Sequence, residues 1–474
     1  MPQLHEVDVP PLSVERLRPL IGDTRTDRLE RVAGDTRRRL DGSTVWNVNS
    51  TATGGGVAEM LEVLVGYARG MGIDCRWLVL EGDAEFFAVT KRIHNRLHGM
   101  VGDGGDLGRP EADHVAAVSA ANAPSLLERV RPGDVVVLHD PQTAGLAPWL
   151  AGSGVHVVWR SHIGVDHPNR WTEQALHLLR PALGSCDAFV FTRSSYVPPW
   201  VPPERVSIIP PSIDPLSAKN QSLDPASLPS FLDRIGLTSG PGDRATTFRR
   251  QDGSFGEVVR RAAVVAEGDP PASLDNLVVQ VSRWDRLKDM AGVMTGFADH
   301  VVGGIDAHLA LVGPSTEGVA DDPEGAGVYA ACVEAWRRLP VGARRRIRLV
   351  SLPMDDVEEN AAMVNAIQRA ATVVVQKSLV EGFGLTVAEG MWKGRPVVAS
   401  GVGGIVDQVR PGTGVLLDDP GDLDAFGKAV ADLLRDPEEI ARLGANAHRL
   451  VREEYLGDKH LLRFAELLAR LRPV

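Results

Sequence analysis

Short apolar runs recur through most of this chain, each closing on small or polar residues and most leading into a stretch with helical periodicity. In the first half they fall at 44–49, 75–80, 134–138, 155–159 and 186–191, and in the second at 277–281, 309–312, 347–352, 371–375 and 396–400. Runs this short and this continuously apolar predict strands buried on both faces, as in parallel sheets covered by helices. The expected class is therefore α/β. A proline-stiffened stretch, Val206-Ser207-Ile208-Ile209-Pro210-Pro211-Ser212-Ile213-Asp214-Pro215, separates the two sets and predicts an interdomain linker. The expected organisation is an extension at 1–40, a first domain at 41–215, a second at 216–457 and a closing helix at 458–474. Residues 238–273 turn polar and glycine-rich and predict an inserted loop or flap, with a short hairpin as its one element. The second sheet is expected to start at Leu277.

Five strand ends carry candidate chemistry. Gln376-Lys377-Ser378-Leu379-Val380-Glu381-Gly382-Phe383-Gly384-Leu385-Thr386-Val387-Ala388-Glu389 leaves an apolar run and opens a helix. Such a junction aims free backbone N–H groups and the positive end of the helix dipole at whatever lies outside the sheet. Gly382 and Gly384 allow close backbone approach. Glu381 and Glu389 beside them would repel a phosphate and more naturally accept hydrogen bonds from hydroxyls of a sugar or ribose. Arg283 directly after 277–281, with Lys288 five residues on, can converge on a diphosphate leaving group. In the first half, strand 44–49 runs into Ser50-Thr51-Ala52-Thr53-Gly54-Gly55-Gly56, a second glycine loop before an amphipathic helix to about Arg69. It is neither the G-x-G-x-x-G dinucleotide fingerprint nor a P-loop, which weakens a dehydrogenase reading. Lys91 and Arg92 fit a ligand contact or a solvated helix face equally well. His139-Asp140-Pro141-Gln142 and Arg160-Ser161-His162 close two further runs and put Asp140 and His162 at strand ends.

A net charge of −11 without a long basic block argues against nucleic acid as a partner. No apolar run reaches membrane-spanning length, and the three cysteines, Cys75, Cys186 and Cys332, have no C-x-x-C spacing. A soluble cytoplasmic protein with buried thiols is expected. The length allows about three domains of ordinary size, and two large α/β domains fit as well.

Two glutamates with seven residues between them around Gly-Phe-Gly resemble the signature of retaining nucleotide-sugar glycosyltransferases of family 4, with the GT-B fold. Further motifs are similar to one subfamily, the trehalose glycosyltransferring synthases or trehalose transferases. They are Val45-Trp46-Asn47-Val48-Asn49-Ser50-Thr51, Gly54-Gly55-Gly56-Val57-Ala58-Glu59, Thr90-Lys91-Arg92-Ile93-His94-Asn95, His139-Asp140-Pro141-Gln142, Gln280-Val281-Ser282-Arg283, Asn365-Ala366-Ile367-Gln368-Arg369 and Met391-Trp392-Lys393-Gly394. The resemblance runs from about Thr44 to the end. It implies two Rossmann-like domains facing each other across a cleft, the closing helix packed back on the first domain, and reversible transfer of glucose from a nucleoside diphosphate glucose to free glucose, making α,α-trehalose with retention. It also implies site roles: Arg283 and Lys288 on the diphosphate, Glu381 with Gly382, Phe383, Gly384 and Leu385 on the donor, Glu389 on the ribose, Gly55 and Gly56 on the phosphate, His162 near the anomeric carbon and Asp140 on the acceptor. No cofactor or metal is expected, with magnesium at most assisting the diphosphate. The expected partners are sugars and a nucleotide sugar, with a homodimer left open. Where relatives carry Asp directly after His-Ile, this chain has Gly164, and Asp166 two residues on, so the acceptor is left open. A retaining trehalose phosphorylase is the rival enzyme, and a non-catalytic sugar-nucleotide-binding protein the rival of another class.

Overall fold

A computed structural model of the chain describes residues 4–52, 55–240, 242–316 and 323–472. The chain divides into two compact units, Met1–Ser212 with Tyr455–Val474, and Ile213–Glu454.

The first unit is built on β1 (His5–Val7), β2 (Val45–Asn49), β3 (Cys75–Val79), β4 (Val135–His139), β5 (His156–Ser161), β6 (Ala188–Phe191) and β7 (Val206–Ile208), in the order β1-β3-β2-β4-β5-β6-β7. From β3 to β7 every neighbouring pair is parallel. Alternate side chains enter two cores. Val45, Val135, Val137, Val158 and Val190 pack with Ala58, Leu61 and Val65 of the helix Gly56–Gly70 and with Leu467 and Leu468 of the helix Gly457–Leu471. Trp46, Val48, Val136, Leu138, Trp159 and Phe189 face the opposite core. Both faces are covered, which is why the strands read as unbroken apolar runs. Residues 1–40, expected as an outside extension, also enter the sheet itself: β1 pairs antiparallel with β3 and closes its edge. The helix Gly457–Leu471 packs on Asp23–Leu40, where buried Asp458 holds Arg25 at 2.7 Å.

In the second unit, β8 (Thr247–Arg249) and β9 (Phe255–Glu257) form a hairpin. The main sheet comprises β10 (Ala263–Val265), β11 (Leu277–Val281), β12 (His308–Pro314), β13 (Ile347–Leu352), β14 (Val373–Gln376), β15 (Val397–Ser400) and β16 (Gly414–Leu417), ordered β10-β13-β12-β11-β14-β15-β16. The sheet does not begin at Leu277. The 238–273 insert contributes β10, antiparallel to β13, so this stretch is an edge strand plus a hairpin rather than a free flap. Arg250 ties the hairpin to Asp356 and Glu358, and Arg260 pairs with buried Glu359.

Strand order fixes where a ligand can bind. In the second sheet the chain winds outward from β11 to β12 and β13 and then crosses back to β14, so the order reverses between β11 and β14. In the first it reverses between β2 and β4. Connections leave opposite faces at such a point and open a crevice outside the carboxyl ends of the two strands.

Candidate functional site

At the switch point of the second sheet, the segments leaving β11 and β14 are fastened together. Gln280 Nε2 donates to Lys288 O at 2.7 Å, and its Oε1 accepts the Lys377 backbone N–H at 3.2 Å. Leu379 N–H donates to Leu287 O at 2.7 Å. Fully buried Lys377 is neutralised by Asp289. Above this base Lys288 Nζ lies 2.6 Å from Glu381 Oε2, and Ser378 Oγ donates to the same oxygen at 3.2 Å. Both members of the ion pair are mostly buried, so bulk water screens them weakly. The Arg283 side chain is 55% exposed, with its guanidinium 3.6 Å from Asp285.

After Glu381 the chain turns through Gly382, Phe383 and Gly384 into the helix Leu385–Trp392. Gly384 is the N-cap at φ 84°, a left-handed conformation costly for a residue with a Cβ. It supplies no side-chain cap, so the Leu385 and Thr386 N–H groups stay available to an anion, while the Val387 N–H donates to Gly384 O at 3.0 Å. The loop is braced from behind, because Gly404 N–H donates to Gly382 O at 3.1 Å and Gln408 Nε2 to Phe383 O at 2.5 Å. Glu389, one turn into the helix, is buried, with Lys219 Nζ 3.8 Å from Oε1. Lys393 is buried a turn further on and donates to Asn220 Oδ1 at 3.0 Å. Burial pushes its amine well below the ordinary lysine value, against the opposing pull of Glu389. At the carboxyl ends of β11 and β15, the buried hydroxyls of Ser282 and Ser400 have no hydrogen-bond partner among the described residues.

The first unit gathers a different kind of chemistry. Gly55 caps the helix Gly56–Gly70 at the end of the β2 loop; Thr53 and Gly54 of that loop lie outside the described residues. At the end of β4, Asp140 adopts φ 62° and opens the short helix Asp140–Ala144. Its Oδ1 accepts the His162 backbone N–H at 2.8 Å, and its carbonyl accepts Trp159 Nε1–H at 3.1 Å, so a left-handed residue is held from two sides. Asp140 keeps partial exposure, yet burial of its carboxyl pushes the pKa up to about 7, against the opposing effects of the His162 N–H and Arg160. His162 is buried, with Nε2 2.9 Å from His139 Nδ1, and His139 Nε2 is 3.1 Å from Asn47 Oδ1. Arg160, also buried, lies 2.9 Å from His460 Nε2, and burial brings its guanidinium down to about 9. The structure thus brings Asp140 and His162 together, and Lys288 with Glu381. Arg92 is engaged by Asp103 at 2.5 Å on the surface of the helix Ala84–Leu97. Sequence reasoning assigned no role to Asn47, His139, Arg160, Asp289 or Lys377. Their only signal was polarity inside or at the end of an apolar run.

Two doubly wound sheets, each with polar groups and a helix N-terminus at its switch point, are the architecture shared by the GT-B glycosyltransferases. Residues 47–198 match the family model for the trehalose synthase N-terminal domain, and residues 357–450 match that for glycosyl transferases group 1. The chain is 35% identical to a trehalose synthase of Rubrobacter xylanophilus over 94% of this chain and 93% of that one. It is 32% identical to one of Pyrococcus horikoshii over 97% and 96%. Among solved structures, an α,α-trehalose-phosphate synthase (UDP-forming) of Burkholderia xenovorans in complex with glucose-6-phosphate superposes with a TM-score of 0.66 at 15% identity, covering 90% of this chain and all of that one. The chain belongs to the trehalose synthase family of glycosyltransferases. Among the described residues no helix is long and apolar enough to cross a membrane.

Proposed function

We propose that the protein transfers glucose from a nucleoside diphosphate glucose to free glucose, forming α,α-trehalose with retention, and that the reaction is reversible. The observation that carries this reading is the Lys288–Glu381 pair at 2.6 Å beside an uncapped helix N-terminus at the switch point of the second sheet. A cation and free N–H groups suit a diphosphate, and a carboxylate fixed among them suits sugar hydroxyls. In this assignment Lys288 and Arg283 take the diphosphate, Arg283 by swinging in from the surface, and Gly55 and Gly56 contribute backbone N–H groups to it. Glu381, with Gly382, Phe383, Gly384 and Leu385, holds the donor glucose, and Glu389 the ribose. His162 lies near the anomeric carbon and Asp140 binds the acceptor.

The chemistry is front-face. The acceptor's anomeric hydroxyl oxygen bonds to the donor C1 on the side from which the diphosphate departs, and the leaving phosphate oxygen takes that hydroxyl's proton. Positioned charge stabilises the departing diphosphate and the oxocarbenium-like sugar. Magnesium, on this reading, is an auxiliary to the diphosphate.

The test is a product assay with glucose and, separately, ADP-, UDP- and GDP-glucose and glucose 1-phosphate. Trehalose formed only from a nucleotide donor is the expected result, and it identifies the base. Trehalose from glucose 1-phosphate alone would overturn the donor assignment in favour of a phosphorylase. No trehalose in any tube would overturn the acceptor assignment and direct attention to the segment around Gly164.

A further inference from the structure

On the face of the first sheet that carries Val45, Val137 and Val158, the same alternation places Asn47 on β2, His139 at the end of β4 and His162 just beyond β5. All three are buried, and they form one hydrogen-bonded line. Its proton positions follow from one end. Asn47 Nδ2 donates to Arg76 O and Cys75 Sγ, each at 3.4 Å, which leaves Oδ1 as the atom turned to His139. An amide oxygen can only accept, so His139 carries its hydrogen on Nε2. A neutral imidazole has one N–H, so His139 Nδ1 accepts, and His162 must donate from Nε2 across the 2.9 Å contact. The lone pair of His162 is then on Nδ1, for which no partner stands among the described residues.

The surroundings keep this line from rewiring. Burial holds both imidazoles well below the ordinary histidine pKa, and the Arg160 charge adds to the effect. The other titratable or charged neighbours are Asp140, Cys75 and His460. Asp140 is committed to the His162 backbone N–H, and Cys75 accepts from Asn47. His460 accepts from Arg160 on Nε2 and donates from Nδ1 to Pro210 O at 3.1 Å.

We propose that Asn47 and His139 are positioning residues that lock His162 in the Nε2–H tautomer, so that its Nδ1 accepts a hydrogen bond from a sugar hydroxyl. The proposal rests on the reading of His162 as a sugar contact and adds its direction. His162 receives a hydrogen bond at Nδ1 and has no proton there to give, so it is not a general acid.

The experiment is a long-range nitrogen–proton correlation spectrum of protein labelled with 15N-histidine, with the His162 signals identified by their loss in His162→Asn. The expected spectrum has His162 Nε2 in the protonated, pyrrole-type range and Nδ1 in the unprotonated, pyridine-type range at neutral pH. His139→Gln keeps an acceptor and a donor in line, and should retain both the tautomer and near-normal turnover. His139→Leu removes the acceptor. It should mix the His162 tautomers and lower kcat/KM by about tenfold, the size of one lost hydrogen bond. Asn47→Asp should draw a second proton onto His139, turn its Nδ1 into a donor and reverse the His162 tautomer. A wild-type His162 protonated on Nδ1 or on both nitrogens would overturn the proposal even if the His139 and Asn47 variants do not fold. So would a His139→Leu spectrum unchanged at His162. Normal turnover in His162→Asn would instead overturn the site reading, and the tautomer measurement would stand independently of it.

Discussion

Gly404 lies in a glycine turn after β15 and touches no ligand in the proposed reaction, yet its substitution should disable the donor site. A Cβ built on Gly404 falls 2.7 Å from the Phe383 Cα and 2.7 Å from its Cδ2, with Gly382 O at 3.1 Å. Ordinary carbon–carbon contacts begin near 3.5 Å, so Gly404→Ala must drive the Phe383 backbone away by about 0.8 Å. Phe383 cannot absorb this alone, because the Gly404–Gly382 and Gln408–Phe383 hydrogen bonds tether the loop on the same side. The displacement therefore reaches Gly384 and the first N–H groups of the helix Leu385–Trp392. A misplacement of about 1 Å in a positioned site costs on the order of 10²-fold in rate, whereas overpacking costs stability only about 1–3 kcal/mol. The expected outcome is a folded protein, melting within about 10 °C of wild type, with kcat/KM for the nucleotide sugar down about a hundredfold. Gly342→Ala is the control, since its Cβ would meet nothing within 4 Å. Wild-type kcat/KM in a folded Gly404→Ala enzyme would refute the placement of the 382–384 loop in the donor site.

Glu381→Gln keeps an oxygen for Lys288 but removes the charge, and kcat/KM should fall by at least about a hundredfold, as loss of charge-assisted hydrogen bonds implies. A melting temperature close to wild type would attribute that loss to the site, and unchanged turnover would exclude Glu381 from it. Asp140 has a folded pKa of about 7 against roughly 3.9 in an unfolded chain, so the native state holds this proton more tightly. Its contribution to stability is present below about pH 4 and is lost as pH rises to about 7. Asp140→Asn should gain stability relative to wild type across that window, and parallel stability–pH curves would contradict the burial argument. Within the first unit, Leu61, Val65, Ala68, Phe464 and Leu468 line a cavity of about 70 Å³. Val65→Ile places one more methyl group there and should stabilise by about 0.8 kcal/mol, read as a melting temperature higher by roughly 2–3 °C. A lower melting temperature would mean the space cannot accept it.

What the sequence made legible, and what it hid, follows from how each element is stabilised. Residues 135–138 and 309–312 were plain because both faces of those strands are covered, and such burial leaves no polar alternation to confuse the pattern. Edge strand β1, His-Glu-Val, carries no comparable run, and the apolar run at 262–266 that holds β10 is flanked by charged residues inside a polar insert, so the pairing of both depends on neighbours distant in sequence. The run at 371–375 becomes β14 at Val373–Gln376, two residues later at its start and one later at its end, where polar Gln376 still belongs to the strand. In the site, Glu381 and the glycines around Phe383 announce themselves locally. The partner of Glu381 does not: Lys288 is 93 positions away, and sequence alone gave it the same standing as exposed Arg283. Asn47 and His139 were hidden for a related reason. A polar residue in a strand looks like a flaw in the pattern until its partner on the neighbouring strand is known.

The two units differ in how they handle charge, and the difference matches what each is proposed to bind. In the second unit, three lysines around the candidate site each lie beside a carboxylate: Lys377 at Asp289, Lys288 at Glu381 and Lys219 near Glu389. A diphosphate entering there can exchange one anionic partner for another, so Lys288 need not be stored as an unpaired buried charge before the donor arrives. Across the first unit's network, burial favours neutral forms instead, with His139, His162 and His460 held well below their ordinary pKa and Asp140 raised toward neutrality. Directed neutral donors and acceptors discriminate hydroxyl positions without attracting phosphate. Arg160 is the exception. Buried and bonded to a neutral His460, it carries the charge that, together with burial, keeps a second proton off His139 and His162. A guanidinium that touches neither proposed substrate thus becomes intelligible as the electrostatic support of the histidine line.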